Sequence, residues 1–399
     1  MRRLLPFVCV VVIVDTMLYA ALTPLLPHFQ HAYHLSKSSV GALAAAYAIG
    51  TLVGAIPGGI VATRLGARVA VFGGLVVVTA ASIGVALSDS FGLLFGARLV
   101  QGFGSSLTWA GGLAWLALAT PRERRGRAMG TAMGAAVFGA LLGPVVGAAG
   151  SLVGVRAAFA TVGGITAVLA MLVFWFEPSP RERQPLTAIF GALGHGEFVR
   201  GLWLINLPAL LFGALNVLAP LALDHRGFSA AAIGGVWVGA AAAESAINPW
   251  LGRVTDRIGS ALPIRVALVG SILVSLALAA TEWPWLLVPL VFAAAVAFGG
   301  FYAPGLTMLS HTAEHVGLAQ GLSFGVMNGA WAIGNAVGPA AGGGLAQLTS
   351  DAVPYLACAG ICGATLLLFR RLPRRSSPDV SYVRSPSRKG TTRSRNTSS

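Results

Sequence analysis

Charged residues are scarce in this sequence, and their scarcity excludes most classes of protein. Among 399 residues only 27 are Lys or Arg and 13 are Asp or Glu, together 10% of the chain, against about 25% in a typical soluble protein. Cysteine is also rare: Cys9, Cys358 and Cys362 lie in apolar runs, without the spacing of a metal site or a disulfide framework. With 56% hydrophobic residues, we expect a membrane protein rather than a soluble enzyme, a nucleic-acid-binding domain or a secreted disulfide scaffold.

Apolar stretches of about 18 to 25 residues recur along the chain between short polar breaks. A helix of that length crosses the roughly 30 Å of hydrocarbon in a bilayer. The sequence therefore predicts an all-α polytopic membrane protein with twelve transmembrane helices. The predicted spans are 5–27, 39–62, 68–88, 91–118, 128–150, 155–176, 200–223, 230–251, 262–281, 285–308, 318–345 and 352–369.

The polar segments between the spans divide the chain and orient it. We predict an N-terminal six-helix bundle at 1–176, a cytoplasmic linker at 177–199, a C-terminal six-helix bundle at 200–371 and a disordered basic tail at 372–399. Leaving residues 370–399 aside, fourteen Lys and Arg residues lie in or next to loops on the side of the N-terminus, against three on the other side. This bias predicts a multi-pass protein of the cell (plasma or inner) membrane with both termini cytoplasmic. The net charge of +14 thus marks cytoplasmic loops and does not indicate a nucleic-acid partner.

Two patterns repeat between the halves at nearly the same offset. The turn after span two, Gly59-Ile-Val-Ala-Thr-Arg-Leu-Gly66, matches the turn after span eight, Gly252-Arg-Val-Thr-Asp-Arg-Ile-Gly259, at an offset of 193 residues. A pattern of glycines and one proline at 130–147 in span five matches 325–342 in span eleven at an offset of 195. Independent repeats in a chain of six plus six spans indicate two duplicated, pseudo-symmetric halves.

These motifs resemble those of the major facilitator superfamily (MFS), and more closely its twelve-span drug:proton antiporter branch. The turn after span two resembles the signature G-x-x-x-D-R-x-G, with Thr63 in place of the aspartate, which the turn after span eight keeps as Asp256. Arg98-Leu-Val-Gln-Gly-Phe-Gly in span four resembles R-x-x-Q-G-x-G, a motif linked to proton coupling. The glycines of span five resemble the antiporter motif, and Asp15-Thr-Met-Leu resembles the first helix of that branch. The resemblance covers roughly residues 4 to 371 and implies an MFS-like fold.

Three charged residues lie well inside predicted spans: Asp15, Arg98 and Glu244. A charge at the centre of a span costs about 2.5–3.5 kcal/mol on insertion scales, so it normally faces a polar cavity or a partner. We predict a proton-coupling role for all three, with Asp15 or Glu244 carrying the proton or binding a cationic substrate. The alternatives are a structural ion pair between Asp15 and Arg98, and a capping role for Glu244 near Asn248.

A second group of residues is predicted to gate or bend the molecule. Glycines let neighbouring helices approach closely, a proline inside a helix permits a bend, and charges in short turns can close one end. Close packing within a bundle is the alternative for the glycines. The predicted gating and hinge residues are Gly59, Arg64, Gly66, Asp256, Arg257, Gly139, Gly143, Pro144, Gly147, Gly334, Gly338 and Pro339.

Aromatic and amide side chains inside the spans are candidates for an amphipathic substrate cavity, with ordinary packing as the alternative for each. The predicted cavity residues are Tyr19, Tyr47, Gln101, Trp109, Asn216, Tyr302, Asn328, Trp331 and Asn335.

The function predicted from these features is secondary active transport by alternating access, most specifically proton-coupled antiport that exports small amphipathic or cationic compounds. The first alternative is a facilitator or proton symporter for a nutrient or native metabolite. A membrane enzyme or signal transducer is disfavoured, because the sequence shows no metalloprotease motif and no sizeable soluble domain. It also shows no Walker-type phosphate loop, so ATP is not the expected energy source. We expect no cofactor and no metal. The expected partners are a small-molecule substrate, protons and membrane lipid, and we expect a monomer.

Overall fold

A computed structural model describes residues 3–178, 184–185, 187–258, 261–281, 283–318 and 320–369. The predicted basic tail at 372–399 and the middle of the predicted linker lie outside the described residues. The described chain is almost entirely helical, and no strand occurs in it. Except at its two ends, a helix satisfies its backbone hydrogen bonds internally, which is the requirement for a chain that crosses lipid.

The first half of the chain forms six spans. The first span consists of two helices, and the other five consist of one helix each. The helices are α1 (Leu4–Ala20), α2 (Leu26–Ala32), α3 (Lys37–Arg64), α4 (Ala67–Ala86), α5 (Phe91–Ala119), α6 (Arg122–Val153) and α7 (Val155–Leu172).

The second half forms six more spans after a short linker helix, α8. Here the tenth span consists of two helices. The helices are α8 (Thr187–Leu193), α9 (Gly196–Asp224), α10 (Ala230–Ile258), α11 (Ala261–Ala280), α12 (Pro284–Gly299), α13 (Tyr302–His315), α14 (Gln320–Leu348) and α15 (Ala352–Leu368). Seven helical segments of the described chain are long and apolar enough to cross a membrane on those grounds alone. The predicted all-α fold of twelve spans is confirmed: ten spans are single helices, and the first and tenth consist of two helices each.

Two predicted spans are interrupted, contrary to the continuous helices expected at 5–27 and 285–308. After Ala20 the first span passes through a single 3-10 turn at Thr23–Leu25 before α2 begins. Pro24 lies in that turn and has no N–H to donate to the carbonyl of Ala20, so one α-helical hydrogen bond is missing where the span breaks. The tenth span breaks at Gly300 and Phe301, between α12 and α13.

Glycine faces hold equivalent helix pairs together in the two bundles. Within the first bundle α6 packs on α1, and a Cβ added at Gly139 would collide with the carbonyl oxygen of Ile13. Within the second bundle α14 packs on α9, and a Cβ at Gly334 would collide with the carbonyl oxygen of Asn206. Ile13 and Asn206 are 193 residues apart, the offset found between the sequence motifs. The packing therefore repeats the duplication.

The two bundles meet chiefly along α3 and α14. Helix α3 begins at Lys37, and α14 ends shortly before Asp351. This side of the molecule is called here the predicted external end, and there the backbones of the two helices touch. A Cβ at Gly41 would collide with the carbonyl oxygen of Pro339, and one at Gly343 would lie 2.5 Å from the carbonyl oxygen of Lys37.

Two ion pairs also join the bundles at the predicted external end. Lys37 Nζ lies 2.6 Å from Asp351 Oδ1, and His31 Nε2 lies 2.8 Å from Asp224 Oδ2. Together with the backbone contacts of α3 and α14, they close this end of the molecule.

Candidate functional site

Asp15 lies in the middle of α1 with only 4% of its surface exposed. Its Oδ2 accepts hydrogen bonds from Ser105 Oγ and Trp109 Nε1, both at 2.6 Å, and from Tyr47 Oη at 3.2 Å. Thr108 Oγ1 donates to Oδ1 at 3.4 Å. Residues three and four apart share a helix face, so α5 directs Ser105, Thr108 and Trp109 at the same carboxylate. All of these donors are neutral.

Arg98, on α5, is 1% exposed and binds the end of α1. Its Nη1 donates to the carbonyl oxygen of Leu18 at 3.1 Å, and Nη2 donates to that of Tyr19 at 3.4 Å. The last carbonyls of a helix lack partners within the helix and carry its partial negative charge. The break in the first span exposes such carbonyls, and the guanidinium of Arg98 satisfies them.

Gln101 fixes the guanidinium of Arg98 in place. Its Oε1 accepts from Arg98 Nη1 at 2.6 Å, while its Nε2 donates to Ser82 Oγ on α4 at 2.9 Å. The side chain of Gln101 is fully buried inside the first bundle. It was predicted to line a substrate cavity, and the structure places it beside Arg98 instead.

Asp15 and Arg98 form no ion pair in this structure, so the alternative of a structural pair does not hold here. The ring of Tyr47 contacts both residues. Its hydroxyl bonds to Asp15, and Arg98 Cζ lies 4.8 Å from its ring centroid, a cation–π distance. Tyr47 is 2% exposed, and in this structure it lies between the two charges rather than on an open cavity wall.

The first bundle reaches the second through Tyr19. Its hydroxyl donates to Asn335 Oδ1 on α14, and its ring lies 5.1 Å from that of Trp331 and 5.4 Å from that of Tyr47. Asn335 is 2% exposed. Tyr19, Tyr47, Trp331 and Asn335 are thus brought together at the contact between the bundles.

Glu244 lies on the other side of this contact, at the break in the tenth span. Its carboxylate occupies the space where a side chain at Gly299 would project, and it is close enough to Tyr302 for an electrostatic interaction. Glu244 and Tyr302 are both partly buried. Asn248, its suggested capping partner, has a side chain outside the described part of the chain.

The remaining predicted cavity residues are Asn216 and Asn328. Asn216 Oδ1 accepts from Trp237 Nε1 at 2.8 Å, and Asn328 is partly buried on α14. Asn216 also borders a cavity of about 20 Å³ between the bundles, together with Tyr19, Thr23 and Arg98. That volume holds about one water molecule.

Most of the predicted gating glycines pack within a bundle. Gly143 and Gly147 of α6 contact the end of α1, and Gly338 of α14 contacts α9. Pro144 is buried on α6, whereas the carbonyl of Pro339 reaches Gly41 across the bundle contact.

The other predicted gating residues of the first half lie in the last turns of α3 and in the turn after it. Gly59 is buried, Arg64 is exposed, and Gly66 has a φ of 103°, a conformation that favours glycine. The hydroxyl of Thr63 donates back to the carbonyl of Gly59 at 2.9 Å within α3. The side chains of Asp256 and Arg257, the corresponding pair after α10, lie outside the described part of the chain.

Sequence reasoning missed the neutral donors around Asp15 and the ion pairs at the predicted external end. Ser105 and Thr108 could have been found, because they share a helix face with Trp109. The pairs of Lys37 with Asp351 and of His31 with Asp224 could not, because they depend on how the bundles meet. Within the described residues, no group of three or more His, Cys, Asp or Glu side chains is placed to hold a metal ion.

Comparison with known proteins agrees with the motifs and the fold. The chain is 25% identical over 369 residues to an uncharacterized MFS-type transporter of Yersinia pestis, with 90% of this chain and 93% of the relative covered. Its fold is similar to that of the crystal structure of a D-xylose-proton symporter (TM-score 0.74, 16% identity, 92% of this chain and 98% of that chain covered). It is also similar to that of the human organic anion transporter MFSD10 (TM-score 0.70, 18% identity, 92% and 99% covered).

A family model supplies the assignment. The model described as Major Facilitator Superfamily matches residues 8–324, which confirms the resemblance seen in the sequence motifs. The chain is a multi-pass membrane transporter that works by alternating access, and it belongs to the Major Facilitator Superfamily.

Proposed function

We propose that this transporter is a proton-coupled antiporter that exports small amphipathic or cationic compounds. The observation that carries the proposal is the environment of Asp15. A buried carboxylate with no cation beside it is costly. Among the described residues Asp15 is bound only by neutral donors, although Arg98 is available in the same bundle. A group kept at that cost, without an ion pair to explain it, is suited to exchange a proton.

Asp15 can gain and lose a proton without leaving its site. In the ionised form it accepts the bonds of Ser105, Trp109 and Tyr47, and in the protonated form it can donate to one of the two hydroxyls. Arg98 stays charged throughout, and its role is to hold the end of α1. Inward movement of protons would load Asp15 or Glu244 and so release substrate to the outside.

The contact between the bundles supplies a surface suited to amphipathic or cationic substrates. Aromatic faces attract organic cations by about 0.5–2 kcal/mol each. Tyr302 interacts with the carboxylate of Glu244 and also with Tyr19 and Trp331, whose rings contact each other. In this proposal Glu244 serves as counter-ion to a cationic substrate or as a second proton carrier.

The proposal includes a location and an orientation. We place the transporter in the cell (plasma or inner) membrane with both termini cytoplasmic, as the distribution of Lys and Arg predicts. In this orientation the end closed by Lys37 and His31 faces outward. Membrane lipid is its other expected partner, and we propose that it acts as a monomer.

A facilitator or proton symporter for a nutrient or native metabolite is the alternative. It is favoured by the hydrogen-bonding side chains at the bundle contact, Tyr19 with Asn335 and Trp237 with Asn216, because such groups also recognise polyhydroxylated substrates. It is equally compatible with the similarity in fold to a D-xylose-proton symporter.

A two-part experiment separates these functions. A panel of fluorescent organic cations and neutral amphipaths is screened in a host that lacks its own efflux pumps, and any compound excluded is tested in proteoliposomes. Antiport predicts that a proton gradient of the correct sign drives accumulation and that counterflow proceeds without a gradient. Counterflow that is insensitive to a proton gradient of either sign would indicate a facilitator, and accumulation in the same direction as the protons would indicate a symporter.

A further inference from the structure

Tyr47 differs from the other donors to Asp15 in the helix that carries it. Ser105, Thr108 and Trp109 all belong to α5, whereas Tyr47 belongs to α3. Helix α3 makes the main contact of the first bundle with α14 of the second, and the contact of α5 with α14 is much smaller. The bond from Tyr47 to Asp15 therefore connects the carboxylate to the helix at the bundle contact.

Among the three bonds accepted by Oδ2, the Tyr47 bond is the one that protonation of Asp15 would disturb first. The bond from Tyr47, at 3.2 Å, is longer than the two of 2.6 Å from Ser105 and Trp109. Protonation removes the charge of the carboxylate, so its oxygens become weaker hydrogen-bond acceptors. The longest bond is the weakest of the three, so Tyr47 is the donor expected to turn away.

Movement of the Tyr47 ring would change contacts that the first bundle makes with the second. The ring lies 4.8 Å from Arg98 Cζ and 5.4 Å from the ring of Tyr19. Tyr19 in turn donates its hydroxyl to Asn335 and contacts Trp331. The backbone of α3 cannot absorb the change, because a Cβ at Gly102 would collide with the Tyr47 carbonyl oxygen, which shows how closely α3 lies on α5. The side chain must move instead.

We propose that Tyr47 is the positioning residue that couples the charge of Asp15 to the contact between the two bundles, through Tyr19 and Asn335. The inference rests on the proposed proton-carrying role of Asp15. It assigns Tyr47 to transmission of the proton signal and not to substrate binding, and it distinguishes the hydroxyl, which senses Asp15, from the ring, which holds Tyr19 and Arg98.

The test needs no substrate and uses two measurements on the purified full-length transporter in lipid. The first is the infrared band of the protonated Asp15 carboxyl, assigned by its absence in Asp15→Asn and followed from acidic to alkaline pH. The second is the distance between spin labels at Leu65→Cys and Leu262→Cys, in a background in which Cys9, Cys358 and Cys362 are replaced. Both label sites are more than half exposed, and they lie on different bundles.

In the wild type we expect the distance distribution to change over the same pH range as the infrared band. In Tyr47→Phe we expect the band still to titrate and the pH-dependent change in distance to be lost. Tyr19→Phe, which removes the hydroxyl that reaches Asn335, should give the same loss while leaving the band of Asp15 in place. Tyr33→Phe is the matched control, because the Tyr33 hydroxyl bonds to the Ser88 carbonyl at 3.4 Å, away from this chain of contacts.

The outcomes separate the inference from the proposed function. If Tyr47→Phe and Tyr19→Phe both keep the full pH-dependent change in distance, Tyr47 does not transmit the signal and the inference is wrong. If Asp15 in the wild type shows no titration, the proposed proton-carrying role fails and the inference fails with it. If Tyr47→Phe does not fold, Tyr19→Phe decides the matter, because its hydroxyl is only partly buried and lies at the far end of the same path.

Discussion

At the scale of single residues, the contacts of Arg98 explain why a guanidinium is needed at this position. It donates to two backbone carbonyls and to Gln101 while its flat face lies against the ring of Tyr47. An ammonium group is compact and cannot present several fixed donors together with a flat face. Arg98 thus fastens the broken end of α1 to α5.

We expect Arg98→Lys to lower both stability and transport. Loss of a hydrogen bond to a charged group costs about 1.5–3 kcal/mol, so the variant should unfold at a clearly lower temperature in detergent. Arg156→Lys, at an exposed arginine, is the control and should unfold like the wild type. Equal stability and transport in Arg98→Lys would mean that a point charge is sufficient.

Asp15→Asn is expected to abolish proton-driven accumulation and to preserve counterflow. The amide has the shape of the carboxylate and its oxygen can still accept from Ser105 or Trp109, so the variant should fold. It cannot carry a proton, and therefore a gradient can no longer be used. Transport is compared in proteoliposomes with Asp89→Asn, an exposed aspartate, as control. Wild-type accumulation by Asp15→Asn would remove Asp15 from the proton path.

At the scale of helices, the glycines of α6 and α14 determine how closely these helices approach α1 and α9 within each bundle. Gly139 lies against Thr16 and Ile13 of α1, whereas nothing lies within 4 Å of the position where Gly134 would carry a Cβ. The same helix therefore contains one glycine that is required by a close approach and one that is not.

This contrast gives a matched pair of substitutions. Gly139→Ala should destabilise the transporter, because overpacking a well-packed contact costs about 1–3 kcal/mol, and the unfolding temperature should fall. Gly134→Ala should leave it unchanged or raise it slightly, because alanine has the higher helix propensity. Equal unfolding temperatures for the two variants would contradict the assigned contact between α6 and α1.

The number and order of the spans could be predicted from the sequence. A helix that crosses lipid must be long and apolar, and it therefore appears in the sequence as a long apolar run. The breaks in the first and tenth spans could not. Pro24 and Gly300 are visible in the sequence, but Pro57 and Pro144 lie inside continuous helices. Whether such a residue ends a helix depends on the neighbours that accept the released backbone groups, as Arg98 does for Leu18 and Tyr19.

The candidate site shows the same limit. Asp15, Arg98 and Glu244 stand out in the sequence because a charge inside an apolar run is expensive. Their partners do not stand out, since Ser105, Ser82 and Gly299 are common in membrane helices. Which of them faces a charge is decided by helix rotation, which one sequence does not reveal.

At the scale of the whole molecule, the ion pairs at the predicted external end act on the equilibrium between conformations. The pairs link different bundles, so they exist only while that end is closed. Exposed ion pairs contribute about 0–1 kcal/mol each, and 1.4 kcal/mol corresponds to a tenfold change in a population. Removing one pair should therefore shift the population severalfold without unfolding the transporter.

We expect Lys37→Asp to increase the population that is open at the predicted external end, because it places two carboxylates side by side. The exchange of both charges, Lys37→Asp with Asp351→Lys, should restore the wild-type population. Distances between spin labels at Leu87→Cys and His225→Cys report the opening, and Arg156→Asp, at the same end, is the control. If the double variant behaves like Lys37→Asp alone, the ion pair does not hold the bundles.

The pair of His31 with Asp224 also bears on the duplication that produced the two halves of the chain. The two residues are 193 positions apart, the offset that also relates α1 to α9. His31 and Asp224 are therefore equivalent positions in the two halves. In a dimer of identical six-helix units, a position that meets its own equivalent across the two-fold axis meets an identical residue. Such a dimer would have set two histidines or two aspartates against each other, and only after fusion into one chain could one copy become basic and the other acidic. His31 and Asp224 therefore mark a position where joining the halves allowed a contact that no symmetric ancestor could make.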